Sequence, residues 1–134
     1  MNYLLDTNIC VLLIRQKSPL VLARLTAQGL SDVAISSITI AELQFGVYKS
    51  SQVDQNRQAL DQFLLPLNIL PFDPVAALSY GRIRAALERQ GLLIGSLDTL
   101  IAAHALSVQL TLVTNNVREF SRVAGLKIED WTKA

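Results

Sequence analysis

Tyr3-Leu4-Leu5-Asp6-Thr7-Asn8 decides the fold. A short apolar run ends in an acidic residue, and a helix-like stretch, Ile9-Cys10-Val11-Leu12-Leu13-Ile14, follows at once. This reads as a buried strand that delivers a carboxylate to the end of a sheet, with the chain turning straight into a helix. Asp6, Thr7 and Asn8 are all good helix-start residues. In open α/β sheets, ligands bind in the crevice outside the carboxyl ends of the strands. Asp6 is therefore the first candidate among several carboxylates gathered there around a divalent cation.

The totals narrow the chemistry. With 134 residues the chain reads as one domain, spanning 1–134. Hydrophobic residues make up 51% and charged residues 17%, more apolar than an average soluble domain. No run reaches the roughly 20 apolar residues that span a bilayer, so the surplus is expected to cover a partner-binding or self-association face. The N-terminus has no basic region or cleavage site of a signal peptide. The one cysteine, Cys10, cannot form an internal disulfide, which fits a reducing cytoplasm. In its apolar stretch Cys10 reads as a small hydrophobe. The single histidine, His104, nearly removes Ser-His, Cys-His and multi-histidine zinc chemistry. Enzymatic chemistry would then rest on carboxylates and an oxygen-ligated metal. The net charge of +1 neither demands nor excludes nucleic acid, because a binding footprint is local.

Outward from the opening stretch, short strands alternate with helices. Strands are expected at 2–6, 33–36, 67–70 and 111–114, with a last edge strand near Lys127-Ile128. Helices are expected at about 7–15, 20–28, 39–49, 55–65, 74–89, 97–106 and 117–122. Pro19 suits a first helical turn, and Gly29, Pro66, Gly91 and Gly125 punctuate the ends. Thr39-Ile40-Ala41-Glu42 matches a capping box, with Thr39 as the cap. The alternation implies βαβ units with right-handed crossovers and a central, mostly parallel sheet of about five short strands.

Three acids share a context. Asp6, Glu42 and Asp98 each lie at or beside the start of a predicted helix, inside apolar sequence. Each has a plain structural explanation: Asp6 as an N-cap, Glu42 as part of the capping box, Asp98 as a charge suited to a helix dipole. Together they suggest convergence, since a parallel sheet gathers strand ends and helix starts on one edge. Two carboxylates about 4 Å apart repel by roughly 4 kcal/mol at an effective dielectric near 20. With no Lys or Arg beside them in sequence, a divalent cation is the economical answer, and hard carboxylate oxygens suit Mg²⁺ or Mn²⁺. Ala102 and Ala105 beyond Asp98, and Gly46 beyond Glu42, either leave room for a ligand or serve helix packing. After the fourth strand, Asn116 is a candidate to hold a water or phosphate and Glu119 a candidate outer carboxylate. Arg118 is a candidate for a phosphate, unless it and Glu119 form a surface charge pair.

These residues resemble a known family. The Tyr-Leu-Leu-Asp6-Thr-Asn8 start, Ile38-Thr39-Ile40-Ala41-Glu42-Leu43 with Gly46, Gly95-Ser96-Leu97-Asp98 running into Leu100-Ile101-Ala102-Ala103-His104-Ala105, and Leu112-Val113-Thr114-Asn115-Asn116 with Arg118-Glu119-Phe120 are similar to the motifs of PIN-domain ribonucleases. The likeness is to the VapC-type toxins of bacterial toxin–antitoxin pairs, and the ending Glu129-Asp130-Trp131 shares it. It covers essentially the whole chain in order. It implies a three-layer α/β/α PIN fold. It implies Mg²⁺ or Mn²⁺ held by Asp6, Glu42 and Asp98, with Glu119 and Asn116 as further catalytic candidates. The family often has an aspartate near Asn116; the amide here leaves Glu119 as the fourth acid. Many relatives carry Pro where Ser96 stands, which bears on loop stiffness.

The resemblance further implies hydrolysis of RNA, with transfer RNA, the initiator among them, as a plausible substrate. Attack by water would leave 5′-phosphate and 3′-hydroxyl ends. Arg15, Arg82, Arg84 and Arg118 are candidates for the RNA backbone, or simply solvated helix faces. A VapB-type antitoxin is implied as partner, laying a segment along the active-site groove, and a homodimer is implied as the assembly. Ile9-Leu12-Leu13 and Phe45-Tyr48 would line that groove or belong to the core. His104, well round its helix from Asp98, reads as structural. Two other readings compete: a non-enzymatic RNA- or protein-binding α/β domain, and an acidic-site phosphohydrolase. Asp6-Thr7-Asn8 lacks the second aspartate of haloacid-type phosphatases, and no Lys follows Val113-Thr114 as a receiver domain would require.

Overall fold

β1 (Tyr3–Leu5) is the middle strand of a five-stranded sheet in the computed structural model, which describes residues 1–134. The sheet order is β3 (Asn68–Leu70), β2 (Val33–Ser36), β1, β4 (Thr111–Val113) and β5 (Ile128–Glu129), and every pairing is parallel. The helices are α1 (Thr7–Ile14), α2 (Pro19–Gln28), α3 (Ser37–Lys49), α4 (Val53–Leu64), α5 (Pro74–Gln90), α6 (Ser96–Ser107) and α7 (Val117–Phe120). No helix is long and apolar enough to cross a membrane.

The apolar run of β1 reflects a strand covered on both faces. Successive side chains point to opposite sides, so Leu5 joins one core and Leu4 the other. Leu5 packs with Ile9, Val21, Leu25, Leu43 and Leu60, beneath α1 to α4. Leu4 packs with Leu87, Ile101, Ala105, Leu112 and Phe120, beneath α5, α6 and α7. The result is the expected three-layer α/β/α arrangement. Trp131, fully buried, closes the first core: its ring meets Tyr3 edge-on at 5.1 Å and its Nε1–H donates to Glu129. Cys10 is buried in the same core, as its apolar context predicts.

Boundaries differ from the sequence expectation by a residue or two at several ends, where fraying and local caps decide. One difference changes a residue's role. The N-cap of α3 is Ser36, whose Oγ accepts from the N–H of Ile38 at 3.0 Å, and Thr39 lies buried inside the helix. There is no capping box at Thr39–Glu42. The pattern favours Thr39 because of the Glu three residues on, but the helix begins at Ser37, directly after β2, and Ser36 takes the cap. This frees Glu42 for other contacts.

His104 on α6 places its Nδ1 2.7 Å from Ser36 Oγ, so the cap of α3 is also tied to α6. Ser36→Ala removes both contacts in a fully buried setting. It is expected to cost about 1–3 kcal/mol of stability, read as a lower urea midpoint with an unchanged slope.

Candidate active site

The register of the sheet builds the site. Leu5 is level with Ile35 on β2 and with Val113 on β4. The next residue in each chain is polar, so Ser36, Asp6 and Thr114 stand side by side at the carboxyl end of the sheet, all buried. Asp6 caps α1, its Oδ1 accepting from the N–H of Ile9 at 2.9 Å. Burial pushes the Asp6 carboxyl above its usual range, and the charges of Glu42 and Asp130 push the same way, against hydrogen bonds from the Thr114 side chain and the Ile9 backbone.

Glu42 projects from the second turn of α3. Its Oε1 accepts from Thr7 Oγ1 at 2.6 Å. Thr7 follows Asp6 directly, so one side chain of the opening motif orients the second acid. Asp98 lies in the first turn of α6. Burial is the main reason its carboxyl is pushed up to about 6, and the charges of Glu119, Glu42 and Asp6 add to it. The structure thus brings Asp6, Glu42, Asp98 and Glu119 within electrostatic reach of one another. No Lys or Arg forms an ion pair with any of them; the ion pairs are the N-terminus with Asp32 and Arg24 with Glu129.

Glu119 and Asn116 are engaged with neighbours. Glu119 Oε1 accepts from the N–H of Gly95 at 3.0 Å, and its Oε2 accepts from the amide of Asn116. Those bonds, that from Gly95 first, hold the Glu119 carboxyl below its usual value. Glu119 and Arg118 form no charge pair. Arg118 and Arg82 are exposed, Arg84 donates to the Tyr80 hydroxyl at 2.8 Å, and Arg15 lines a groove beside Glu42.

That groove runs between α1, α3 and α4, with Thr7, Val11, Glu42, Leu43, Gly46 and Leu60 among its walls. A Cβ on Gly46 would meet nothing within 4 Å, so Gly46 leaves room in the groove and does not serve helix packing. Ala102 and Ala105 are the reverse case, fully buried in the second core. Ile9 belongs to the core, Leu12 and Leu13 lie half-buried against it, and Phe45 and Tyr48 are exposed. His104 contacts Ser36 and Phe72, and its burial lowers its pKa against the opposing charge of Asp73. Sequence reasoning missed Thr7, Thr114 and Asp130. The only available signal was position, since each immediately follows either Asp6 or the final residue of a strand.

The PIN domain model matches residues 3–126. The chain belongs to the PIN-domain family. Among family members, it is 46% identical over 134 residues to Ribonuclease VapC2 of Rickettsia felis, covering 99% of this chain and 100% of that protein. It is 43% identical over 133 residues to the tRNA(fMet)-specific endonuclease VapC of Shigella flexneri, covering 98% and 99%. The crystal structure of VapBC2 from Rickettsia felis, bound to a DNA fragment from their promoter, superposes with a TM-score of 0.92 at 44% identity, over 98% of this chain and 99% of that one.

PIN domains of the VapC type are the setting in which a divalent cation was anticipated, and the donor chemistry fits. Asp6, Glu42 and Asp98 are hard oxygen donors without an ion-pair partner; the charge of Glu42 pushes up the Asp6 carboxyl, and the charges of Glu42 and Asp6 push up that of Asp98. Their arrangement is open, for no three acids close into a ready-made ligand cage. Water and a substrate phosphate would complete such a set.

Asp98 binds its proton more tightly in the folded chain, at about 6, than at its ordinary value of 3.8. The folded state then holds more protons between these values, so stability in EDTA should fall as pH rises from about 4 through 6. Melting curves of the PIN domain over pH 4–7 should show that slope, and Asp98→Asn should flatten it. An unchanged slope in Asp98→Asn would show that Asp98 is not the group responsible.

Proposed function

We infer that this PIN domain is a Mg²⁺- or Mn²⁺-dependent endoribonuclease, the toxin of a toxin–antitoxin pair, that hydrolyses RNA phosphodiesters and so inhibits translation. The observation that carries the reading is the convergence of Asp6, Glu42 and Asp98 at the carboxyl edge of the sheet, none of them in an ion pair. Full-length identity to proteins named ribonuclease and tRNA(fMet)-specific endonuclease supports RNA, and transfer RNA in particular, as the substrate. The lone buried cysteine fits action in the cytoplasm.

Asp6 and Asp98 would be the principal cation ligands. Asp6 is fixed by its bond to Ile9, and Asp98 by its place at the start of α6. Glu42, oriented by Thr7, would complete the ligand set or accept a proton from the attacking water. When bound, the cation supplies Lewis acidity toward the phosphate and a lowered pKa for water. Water is the nucleophile in this reading and the P–O3′ bond breaks, so the ribose 2′-hydroxyl is not consumed, the 3′-oxygen leaves, and the ends are 5′-phosphate and 3′-hydroxyl. Arg15, at the groove beside Glu42, is the basic residue best placed for the backbone.

A VapB-type antitoxin is the partner supported by the likeness to VapBC2 of Rickettsia felis, and the groove beside Glu42 is where it would lie. A second copy of the chain is the further partner; exposed Val75 and Leu78 on α5 are apolar surface that an oligomer would cover.

The test is incubation of antitoxin-free protein with total bacterial RNA, with Mg²⁺ or with EDTA. Discrete fragments bearing 5′-phosphates are expected with Mg²⁺ only. Asp98→Asn should cut the rate by about a hundredfold or more, beyond the loss typical of an outer-sphere partner. Cyclic 2′,3′-phosphate ends would overturn the hydrolytic route, and intact RNA would turn the reading toward a binding module. Thr7→Val, which deprives Glu42 of its donor, should lower kcat about tenfold, with Thr7→Ser recovering most of it.

A further inference from the structure

Asp98 lies three residues into α6, and its position depends on how that helix begins. The preceding segment, Gly91 to Gly95, is mostly exposed. Its N-cap is Gly95, which has no side chain to cap the helix. The carbonyl of Gly95 accepts from both the N–H and the Oγ1 of Thr99, each at 2.8 Å. Its own N–H points away from the helix, to Glu119 Oε1 at 3.0 Å. Gly95 is therefore gripped on both sides of its backbone, once from within α6 and once from α7.

The grip from α7 is itself anchored. Glu119 Oε2 accepts from the Asn116 amide. The Asn116 N–H donates to Thr114 Oγ1 at 2.9 Å, and its carbonyl accepts from the N–H of Phe120. Thr114 stands beside Asp6 at the sheet edge. A continuous chain of hydrogen bonds thus runs from the sheet through Thr114, Asn116 and Glu119 to Gly95 and on into α6. A second tie, Arg122 Nη1 to the Leu93 carbonyl at 3.1 Å, joins the turn after α7 to the same segment. The three groups are neighbours: a Cβ on Gly95 would sit at ordinary contact distance, 3.5 Å from Asp98 Oδ2 and 4.0 Å from Glu119 Oε1.

We propose that Glu119 is a positioning residue, whose carboxylate holds the Gly95 peptide and so sets where Asp98 stands, and is not a fourth cation ligand. Both of its oxygens already accept a hydrogen bond from the protein, and each bond has a structural purpose. Its negative charge suits the dipole at the start of α6 while opposing the charge of Asp98 in the same turn, so the bond to the Gly95 N–H, not the charge alone, holds it there. The amide at 116 follows from the same logic. Asn116 can donate to Glu119, whereas an aspartate there would set two carboxylates against each other. The inference rests on reading Asp98 as an acid of the site, but its first test does not need the nuclease.

The test uses ¹⁵N-labelled full chain in EDTA, with the Gly95 amide as reporter. Glu119→Ala should speed its hydrogen exchange about tenfold and shift its resonance, as loss of a local bond does. Glu119→Gln keeps an acceptor for Gly95, with Asn116 turning its amide to match, and should keep the protection. Asn116→Asp should loosen the same amide, giving a second route if Glu119→Ala folds poorly. Mg²⁺ titration followed at α6 amides should give midpoints within about threefold for the protein and Glu119→Gln. A lost charged ligand would instead weaken binding by about a hundredfold or more, beyond the loss typical of an outer-sphere partner. In RNA cleavage, Glu119→Ala should lower kcat/KM about tenfold or more, and Glu119→Gln should rescue most of it. An unchanged Gly95 amide in Glu119→Ala overturns the grip. Glu119→Gln as damaging as Glu119→Ala to Mg²⁺ binding, with Gly95 still protected, overturns the positioning role in favour of ligation. Absence of RNA cleavage by the parent chain would count against the nuclease reading alone, because the amide and Mg²⁺ measurements still decide this one.

Discussion

A buried carboxylate without a cation to answer it is the constraint around which this fold is arranged. Asp6 is 4% exposed and forms no ion pair. Taking a charge out of water is costly, and here other acids add to the cost. What keeps the position tenable is local. The start of α1 offers the Ile9 N–H and the favourable end of a helix dipole, and Thr114 supplies a further hydrogen bond. Asp6 thus acts as an N-cap and as the floor of an acidic site at once. The capping role does not compete with the functional one, because it is what fixes the carboxylate in place.

The other acids arrive on helices, and the helices are tied to that same sheet edge. Ser36, level with Asp6, caps the helix that carries Glu42 and meets His104 on the helix that carries Asp98. Thr7 reaches from α1 to Glu42. Thr114, on the other side of Asp6, begins the hydrogen-bonded path to Gly95. Two small polar residues flanking one aspartate therefore set the relation of two helices to the central strand. Sites built on strands and helices hold their geometry better than sites on loops, and the one exposed segment here, before α6, is the one that receives extra ties from the α7 side.

The parts of this arrangement that sequence revealed are those with local signatures. A continuous apolar run ending in Asp6-Thr7-Asn8 is legible because burial on both faces and a helix start leave marks in consecutive residues. Asp98 is legible for the same reason, an acid in the first turn of an apolar helix. The relations between distant residues were not legible. Thr7 and Glu42 are 35 positions apart, and Gly95 and Glu119 are 24 apart. The local pattern gives Glu42 the wrong partner: Ser36, Ser37 and Thr39 are all acceptable caps, and only the true start of α3 at Ser37 selects among them. The tie of His104 to Ser36 lies across 68 positions and has no sequence trace.

The repulsion built into the site has a further consequence for how the protein meets its ligands. Between about pH 4 and 6 a proton on Asp98 relieves part of the strain. At neutral pH that relief is gone, and the folded state carries the uncompensated charge. Any cationic group that enters then binds the folded chain and not the unfolded one, and stabilises it by mass action. A divalent ion and a basic side chain of a protein partner would draw on the same electrostatic gain at the same edge of the sheet. Their effects on binding must therefore be coupled, since each relieves the charge that attracts the other. Inhibition by a partner that places positive charge there needs no rearrangement of the core: it follows from where three helices and one strand put their carboxylates.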